Sequence, residues 1–123
     1  MVDFIAPSIV IVDDDAAVRD SLLIMLTLAD LSVETCQSGA ELLLLLETHK
    51  PDCLVLDVHM PGMGGLEVLE RLKALGYTIP VIMISGNMDD ATRTSAHQAG
   101  VSRILKKPFS GAILVETIQE LIA

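Results

Sequence analysis

The sequence predicts an α/β domain in which a parallel sheet of five strands is covered by helices on both faces. Five short apolar runs recur along the chain, and a segment with helical character follows each of them. Strands that alternate with helices form parallel sheets, because a parallel pair of strands needs a long crossover connection. The chain has 123 residues, 51% of them hydrophobic, which suffices for one such domain but not for two.

The first strand, the first helix and the second strand follow from simple patterns. Ser8–Val12 is a β-branched apolar run and predicts a buried strand. Segment 16–29 carries apolar residues at helical spacing, and Asp14 or Asp15 is placed to cap its first turn. Ser32–Cys36 then predicts a short second strand.

The middle of the chain adds one helix on each side of a strand that is apolar up to its last residue. Ser38 and Glu41 form a capping box before a run of leucines, which predicts a helix over 39–48. Cys53–Asp57 is an apolar run that ends abruptly in an aspartate, as expected for a strand buried on both faces. A loop rich in proline and glycine follows, and then a helix is predicted over 66–75.

The last two βα units complete the alternation. Val81–Ser85 predicts the fourth strand, and segment 89–98 predicts a weaker helix because Thr and Ser are indifferent helix formers. The fifth strand is predicted over 101–105, and Ser110 caps the last helix. The predicted buried stripe of this helix comprises Ile113, Leu114, Ile118, Leu121 and Ile122.

Charge and composition exclude several classes of protein. Eight basic against 17 acidic residues give a net charge of −9, which would repel a nucleic-acid backbone from this domain. No apolar segment reaches the roughly 18 residues of a membrane span, and residues 1–4 lack the basic start of a signal peptide. We therefore expect a cytoplasmic protein. Cys36 and Cys53 are expected to be small buried hydrophobes rather than a disulfide or metal pair.

Polar side chains stand where four of the five predicted strands end. Asp13 and Asp14 follow the first strand, Asp57 ends the third, Ser85 ends the fourth and Lys107 follows the fifth. Alone, an aspartate before a Pro/Gly loop is most simply a turn residue. In a parallel sheet, however, these strand ends form one edge, and open α/β sheets bind their ligands there.

Three acids, a hydroxyl and a lysine at one edge favour metal-assisted phosphoryl chemistry. Clustered carboxylates repel one another and require protons or a cation, and a hard oxygen site suits Mg²⁺. The metal neutralises an incoming phosphoryl group, and a lysine adds a further positive charge. An aspartate can then act as the nucleophile and form an aspartyl phosphate, while a serine hydroxyl donates to a phosphoryl oxygen.

At these residues the chain resembles the receiver domains of bacterial two-component response regulators. The motifs that carry the resemblance follow in order along the whole chain: Asp13-Asp14, Asp57, Met60-Pro61-Gly62, Gly65, Ser85-Gly86 and Lys107-Pro108. The resemblance implies a doubly wound, flavodoxin-like sheet with the strand order 2-1-3-4-5.

The resemblance also implies a role for each residue of the set. Asp57 is implied as the phosphoacceptor. Asp14 and Asp57 would bind Mg²⁺ directly together with the backbone carbonyl of His59, and Asp13 would act mainly through water. His59 and Asn87 are expected to flank the phosphoryl site and to tune the attack of water on it.

By the same resemblance, Ser85 is the switch hydroxyl and Lys107 pairs with the phosphoryl group. Receivers usually carry Tyr or Phe three residues before this lysine, and the position here is Ile104. A stiff β-branched side chain has no ring to bury or expose. We therefore expect the signal to pass through backbone movement of the loop 86–90, or to be weak.

The implied function is a signalling switch formed by residues 1–123, with no output domain after them. A sensor histidine kinase or a small phosphodonor would supply the phosphoryl group, and the helix 4–strand 5–helix 5 surface would change in response. Catalysis would be limited to the domain's own phosphorylation and dephosphorylation. The three-Asp start and the loop at Gly86 also resemble receivers that precede LuxR-type helix-turn-helix domains, which commonly dimerise through helix 4 and strand 5.

Three other functions remain open at this stage. A phosphohydrolase with an aspartyl nucleophile usually needs a second Asp two residues later as general acid, but His59 stands there. A flavin-binding domain of the same topology would need a phosphate loop after the first strand, where Asp13 and its neighbours would repel a phosphate. A pseudo-receiver that signals by binding alone is the third, and Ile104 leaves it open.

Overall fold

The computed structural model describes residues 5–123, and its centre is one sheet of five parallel strands. The strands are β1 (Ser8–Val12), β2 (Ser32–Cys36), β3 (Cys53–Asp57), β4 (Val81–Ser85) and β5 (Arg103–Lys106). The helices are α1 (Ala16–Leu28), α2 (Gly39–Leu45), α3 (Gly65–Ala74), α4 (Asp90–Gln98) and α5 (Gly111–Ile122). The strand order β2-β1-β3-β4-β5 confirms the predicted doubly wound α/β fold.

Three predictions from the sequence concern a membrane span, a signal peptide and the two cysteines. None of the helices in the described range 5–123 is long and apolar enough to cross a membrane. The signal-peptide observation on residues 1–4 lies outside the described residues. Cys36 and Cys53 are both buried and unbridged, as predicted, and burial raises the pKa of the Cys53 thiol to about 12.

The three central strands are buried on both faces, so their side chains fill two separate cores. Leu54 and Leu56 of β3 pack in the cluster that includes residues of α2, α3 and α4. Cys53 and Val55, which alternate with them, pack with residues of α1 and α5. Each fully buried Leu contributes about 1.5–3 kcal/mol through apolar burial. These two layers hold the strand ends in fixed positions.

The second helix is shorter than the 39–48 that the sequence predicts. Ser38 caps it as expected, since its hydroxyl accepts a hydrogen bond from the Glu41 N–H at 3.1 Å. The helix ends at Leu45, and the chain tightens there because the Glu47 and Thr48 N–H groups donate to carbonyls only three residues back, Thr48 to Leu45 at 3.1 Å. The Thr48 hydroxyl lies 3.3 Å from the same carbonyl and competes for it.

The fifth strand is displaced toward the C-terminus from the predicted 101–105. Its observed range is Arg103–Lys106. The Val101 N–H is instead used to close α4, where it donates to the Ala96 carbonyl at 3.0 Å, and Gly100 adopts a φ of 90° in the same turn. The strand therefore starts later and runs on to Lys106, which pairs with Ser85.

The predicted buried stripe of the last helix is wrong at one residue. Ile113 is 48% exposed, and Thr117 is buried in the helix instead. The Thr117 hydroxyl donates to the Ile113 carbonyl at 2.7 Å, so its polar atom is satisfied inside the helix. Ser110 caps this helix as predicted, because its hydroxyl accepts from the Ile113 N–H at 3.2 Å.

Gly65 begins α3 directly against the backbone at the end of β3. A methyl group at this position would lie 2.8 Å from the Cα of Val58 and closer still to the carbonyl oxygen of Asp57. The Gly65 N–H also donates to the Val58 carbonyl at 2.9 Å. Only glycine therefore lets α3 start this close to the strand end.

Replacing Gly65 by Ala is expected to lower the free energy of unfolding by about 1–3 kcal/mol, because main chain cannot move aside for the methyl group. Urea unfolding followed by circular dichroism measures the change. Gly86→Ala is the matched control, since a methyl group there meets no atom within 4 Å, and no loss of stability is expected. Equal stabilities of the two variants would contradict this account of the packing.

Candidate functional site

The structure brings three of the predicted site residues together at the C-terminal edge of the sheet. Each of Asp13, Asp14 and Asp57 offers a carboxylate oxygen, and these oxygens lie within 4.8 Å of one another. The strand register explains this, because Val12 of β1 pairs with Leu56 of β3 and the next residue of each strand is an aspartate. Asp13 and Asp57 are buried, whereas Asp14 is exposed.

Backbone hydrogen bonds fix the two buried carboxylates. Oδ1 of Asp13 accepts from the Asp15 N–H at 2.9 Å, and Oδ1 of Asp57 accepts from the His59 N–H at 3.2 Å. Oδ1 of Asp15 in turn accepts from the Ala17 N–H at 2.9 Å as the cap of α1, which was one of the two predicted caps. The loop after β1 is thus shaped by its own aspartates.

Arg19 is a positioning residue that sequence reasoning missed. Its Nη1 donates to the main-chain carbonyl of Asp13 at 2.7 Å. The bond ties the first turn of α1 to the end of β1 and brings a positive charge to the acidic edge. A lone arginine six residues after Asp13 carries no sequence signal for this contact, because it depends on how α1 packs over the strand end.

The electrostatics of the cluster favour a bound cation. Burial raises the pKa of the Asp13 carboxyl above its ordinary value of 3.8, and the negative charge of Asp57 raises it further. The hydrogen bond from the Asp15 N–H and the charge of Lys107 act in the opposite direction. Three oxygen donors that repel one another, one of them open to solvent, fit a hard divalent ion.

Ser85 and Lys107 flank the acidic cluster from the next two strand ends. The main-chain N–H of Lys107 donates to the main-chain carbonyl of Ser85 at 2.8 Å, so the two residues are held side by side. Ser85 is buried, and within residues 5–123 its Oγ has no hydrogen-bond partner. Lys107 is half-buried, whereas its neighbour Lys106 is exposed.

Two loops meet beside Asp57 through a contact that the sequence did not specify. Nε2 of His59, which follows β3, lies 3.0 Å from the main-chain oxygen of Asn87, which follows β4. The sequence predicts that both residues flank the site, but not that they bind each other. Ile104 and Met88 line a cavity of about 50 Å³ behind the second loop, next to Ser85.

The family model described as "Response regulator receiver domain" matches residues 9–119. The response regulator MprA of Mycobacterium sp. (strain KMS) is 38% identical over 114 residues, which are 93% of this chain and 50% of that protein. MprA of Mycobacterium avium (strain 104) is 37% identical over the same share of each chain. The chain thus spans about half the length of the curated relatives it matches.

Solved receiver structures share the fold over nearly the whole chain. The CheY-like receiver domain protein of Methanospirillum hungatei JF-1 has a TM-score of 0.91 at 29% identity and covers 96% of this chain and 94% of its own. The FixJ-N structure has a TM-score of 0.88 at 34% identity, with 97% and 95% covered. Vibrio cholerae chemotaxis protein CheY4 gives 0.87 at 26% identity, with 95% and 99% covered.

The Asp13→Asn variant is expected to be more stable than the wild type at neutral pH by roughly 0.5–2 kcal/mol, because it removes a buried charge beside Asp57. Folding raises the pKa of Asp13, so this carboxyl costs stability increasingly as the pH rises from 3.8 through the raised pKa. The gain should therefore vanish below pH 3.8. Urea unfolding at both pH values, with a chelator present, measures it.

Asp15→Asn is the matched control for this experiment. Asp15 is exposed, and Asn caps helices as well as Asp does, so little change is expected. If Asp13→Asn were no more stable than Asp15→Asn at neutral pH, the buried charge of Asp13 would not be a cost to stability at this edge.

Proposed function

Because the chain belongs to the response regulator receiver domain family, we propose that it is a phosphorylation-dependent switch whose phosphoacceptor is Asp57. Receivers of this family are partnered by histidine kinases, and such a kinase or a small phosphodonor supplies the phosphoryl group. The observation that carries the proposal is the placement of Asp57. Its carboxylate ends a buried central strand and lies in one cluster with Asp13 and Asp14.

The acidic cluster is the proposed magnesium site. The carboxylates of Asp14 and Asp57 and the backbone carbonyl of His59 would hold Mg²⁺, with Asp13 acting mainly through water. When bound, the ion neutralises the developing charge of the phosphoryl group. The support is chemical: three close oxygen donors and a raised Asp13 pKa make a set that needs a cation.

In the proposed reaction, a carboxylate oxygen of Asp57 attacks the phosphorus atom of the donor. A new P–O bond forms while the bond from phosphorus to the donor's histidine nitrogen breaks, and that nitrogen keeps the electron pair. The Lys107 ammonium offsets negative charge on the acyl phosphate. Water later attacks the phosphorus, the P–O bond to Asp57 breaks, and orthophosphate leaves, which restores the carboxylate. The domain thus catalyses only its own phosphorylation and dephosphorylation.

Ser85 is the proposed sensor of the phosphoryl group. A buried hydroxyl without a partner costs free energy, and a phosphoryl oxygen on Asp57 would accept the hydrogen bond that Ser85 lacks within the described residues. The formation of this bond would move the loop that follows β4. Ile104 lies against that loop without an aromatic ring, so the proposed transmission to the α4–β5–α5 surface is by the loop backbone.

The proposed kinase contact is an apolar groove beside the site. Its volume is about 440 Å³, and it lies between α1 and the segment after β5. Val18, Met25 and Phe109 line it together with Lys107, so it is continuous with the phosphoryl site. A helix of the histidine kinase that carries the phosphohistidine fits this position, because its apolar residues would be buried while the phosphoryl group faced Asp57.

The proposed output of the switch is an effect on another domain or protein. The relatives are about twice as long as the chain, so control of a following domain or of a separate partner is part of the proposal. The net charge of −9 supports a domain that does not itself bind nucleic acid. A cytoplasmic location and a phosphorylation-dependent homodimer through α4 and β5 also belong to the proposal.

Incubation with acetyl phosphate and Mg²⁺ is expected to add the mass of one phosphoryl group to the intact protein. The gain should disappear in Asp57→Asn, which keeps the shape of the side chain but cannot form the acyl phosphate, and should be strongly reduced by a chelator. Intact-protein mass spectrometry measures both. If the wild type gained no mass, the domain would instead be a receiver that signals by binding alone.

The same assay separates the two adjacent lysines. Lys107→Ala is expected to slow the mass gain by about a hundredfold, as removal of a charge-stabilising group at a reacting centre does. Lys106→Ala is the matched control, because Lys106 is exposed, and it should leave the rate within about twofold. The reverse order would assign the phosphoryl-pairing role to Lys106.

A further inference from the structure

The loop after β4 is held in place by a side chain from the loop after β3. Nε2 of His59 lies 3.0 Å from the main-chain oxygen of Asn87, 28 residues away in sequence. A carbonyl oxygen only accepts hydrogen bonds, so Nε2 is the donor and carries a proton in this arrangement. Asn87 takes part through its backbone, and the position of the loop itself is therefore what the bond fixes.

The contact has a firm anchor on one side. The His59 N–H donates to Oδ1 of Asp57 at 3.2 Å, which ties the backbone of His59 to the proposed phosphoacceptor. Phosphorylation would turn one oxygen of this carboxylate into an acyl phosphate oxygen, a weaker acceptor. A chemical change on Asp57 thus reaches the residue that holds the neighbouring loop.

On the other side, the loop has few hydrogen bonds, although Met88 packs against the core. Within the described range, the His59 ring is the only side chain that hydrogen-bonds the backbone of residues 86–88. A methyl group on Gly86 would meet no atom within 4 Å, so packing does not confine that residue either. The far end is fixed separately, because Oδ1 of Asp89 accepts from the Thr92 N–H at 2.7 Å as the cap of α4.

We propose that the His59 ring is a latch: its hydrogen bond holds the loop after β4 in the resting position. The latch thereby sets the equilibrium between the resting and the switched state. The proposal rests on the proposed function, in which Ser85 moves toward the phosphoryl group. Asn87 lies two residues after Ser85, so this movement displaces the carbonyl that His59 holds. Hydrogen bonds weaken steeply with small displacements, and the switched state gives up this bond.

The latch predicts that loss of the His59 ring shifts the equilibrium between the resting and the switched state. His59→Ala removes one hydrogen bond from the resting state while leaving the His59 backbone carbonyl in place. The switched population should rise, and the apparent affinity for a ligand that requires it should rise by the same factor. The net contribution of one such bond corresponds to about a fivefold change.

Two readouts on the ¹⁵N-labelled full chain test the latch. The first is the ¹⁵N order parameter of the backbone amides of residues 86–88 without any ligand, which reports how firmly the loop is held. The second is the affinity for beryllium trifluoride, BeF₃⁻, which adds to an aspartate carboxylate in place of a phosphoryl group, at saturating Mg²⁺. His59→Gln keeps an N–H donor at a similar reach and should restore wild-type behaviour. His97→Ala, which removes an exposed imidazole from α4, is the control.

The latch is supported if His59→Ala lowers these order parameters and binds BeF₃⁻ about fivefold more tightly, with His59→Gln and His97→Ala near the wild type. Unchanged order parameters in His59→Ala overturn it. Lower order parameters with an unchanged or weaker BeF₃⁻ affinity also overturn it, because the bond would then not bias the switch. Failure of the wild type to bind BeF₃⁻, with the order-parameter effect intact, would contradict the proposed function and leave the resting latch standing.

Discussion

The burial of two carboxylates side by side at adjacent strand ends is the constraint on which the site depends. Asp13 and Asp57 are placed side by side by the register of β1 and β3, and the apolar layers on both faces of the sheet prevent the strands from moving apart. The cost therefore stays in the folded protein, where burial, and to a lesser extent the charge of Asp57, raise the pKa of Asp13. A cation or a nearby lysine relieves this cost, which makes the edge ready for a metal and a phosphoryl group.

The parts of the site differ in how firmly they are held, and the difference suits a switch. The Asp57 end of β3 is confined by Gly65, which packs against its backbone, and by the buried strands on either side. The loop after β4 is held by one hydrogen bond from His59, by the packing of Met88 and by the helix cap at Asp89. A rigid acceptor beside a loop with few hydrogen bonds lets a local chemical change become a movement.

The sequence predicts the fold because strands and helices alternate in its pattern, and it predicts the main acidic cluster because the aspartates stand at strand ends. In a parallel sheet, topology sets the position of a residue just after a strand. The proximity of Asp13, Asp14 and Asp57 could therefore be predicted from the sequence. What escaped prediction depends on side chains reaching across elements. The reach of Arg19 back to Asp13 follows from the packing of α1, and the His59–Asn87 bond follows from the path of two loops. Neither leaves a periodic signal.

A crystal structure of the protein grown with Mg²⁺ and BeF₃⁻ tests most directly whether this edge of the sheet is the phosphorylation site. We expect a fluoroberyllate group on the Asp57 carboxylate. We also expect a six-coordinate ion at about 2.0–2.1 Å from oxygens of Asp14 and Asp57 and from the His59 carbonyl. A fluoroberyllate group on another carboxylate, or an ion bound away from this edge of the sheet, would contradict both assignments.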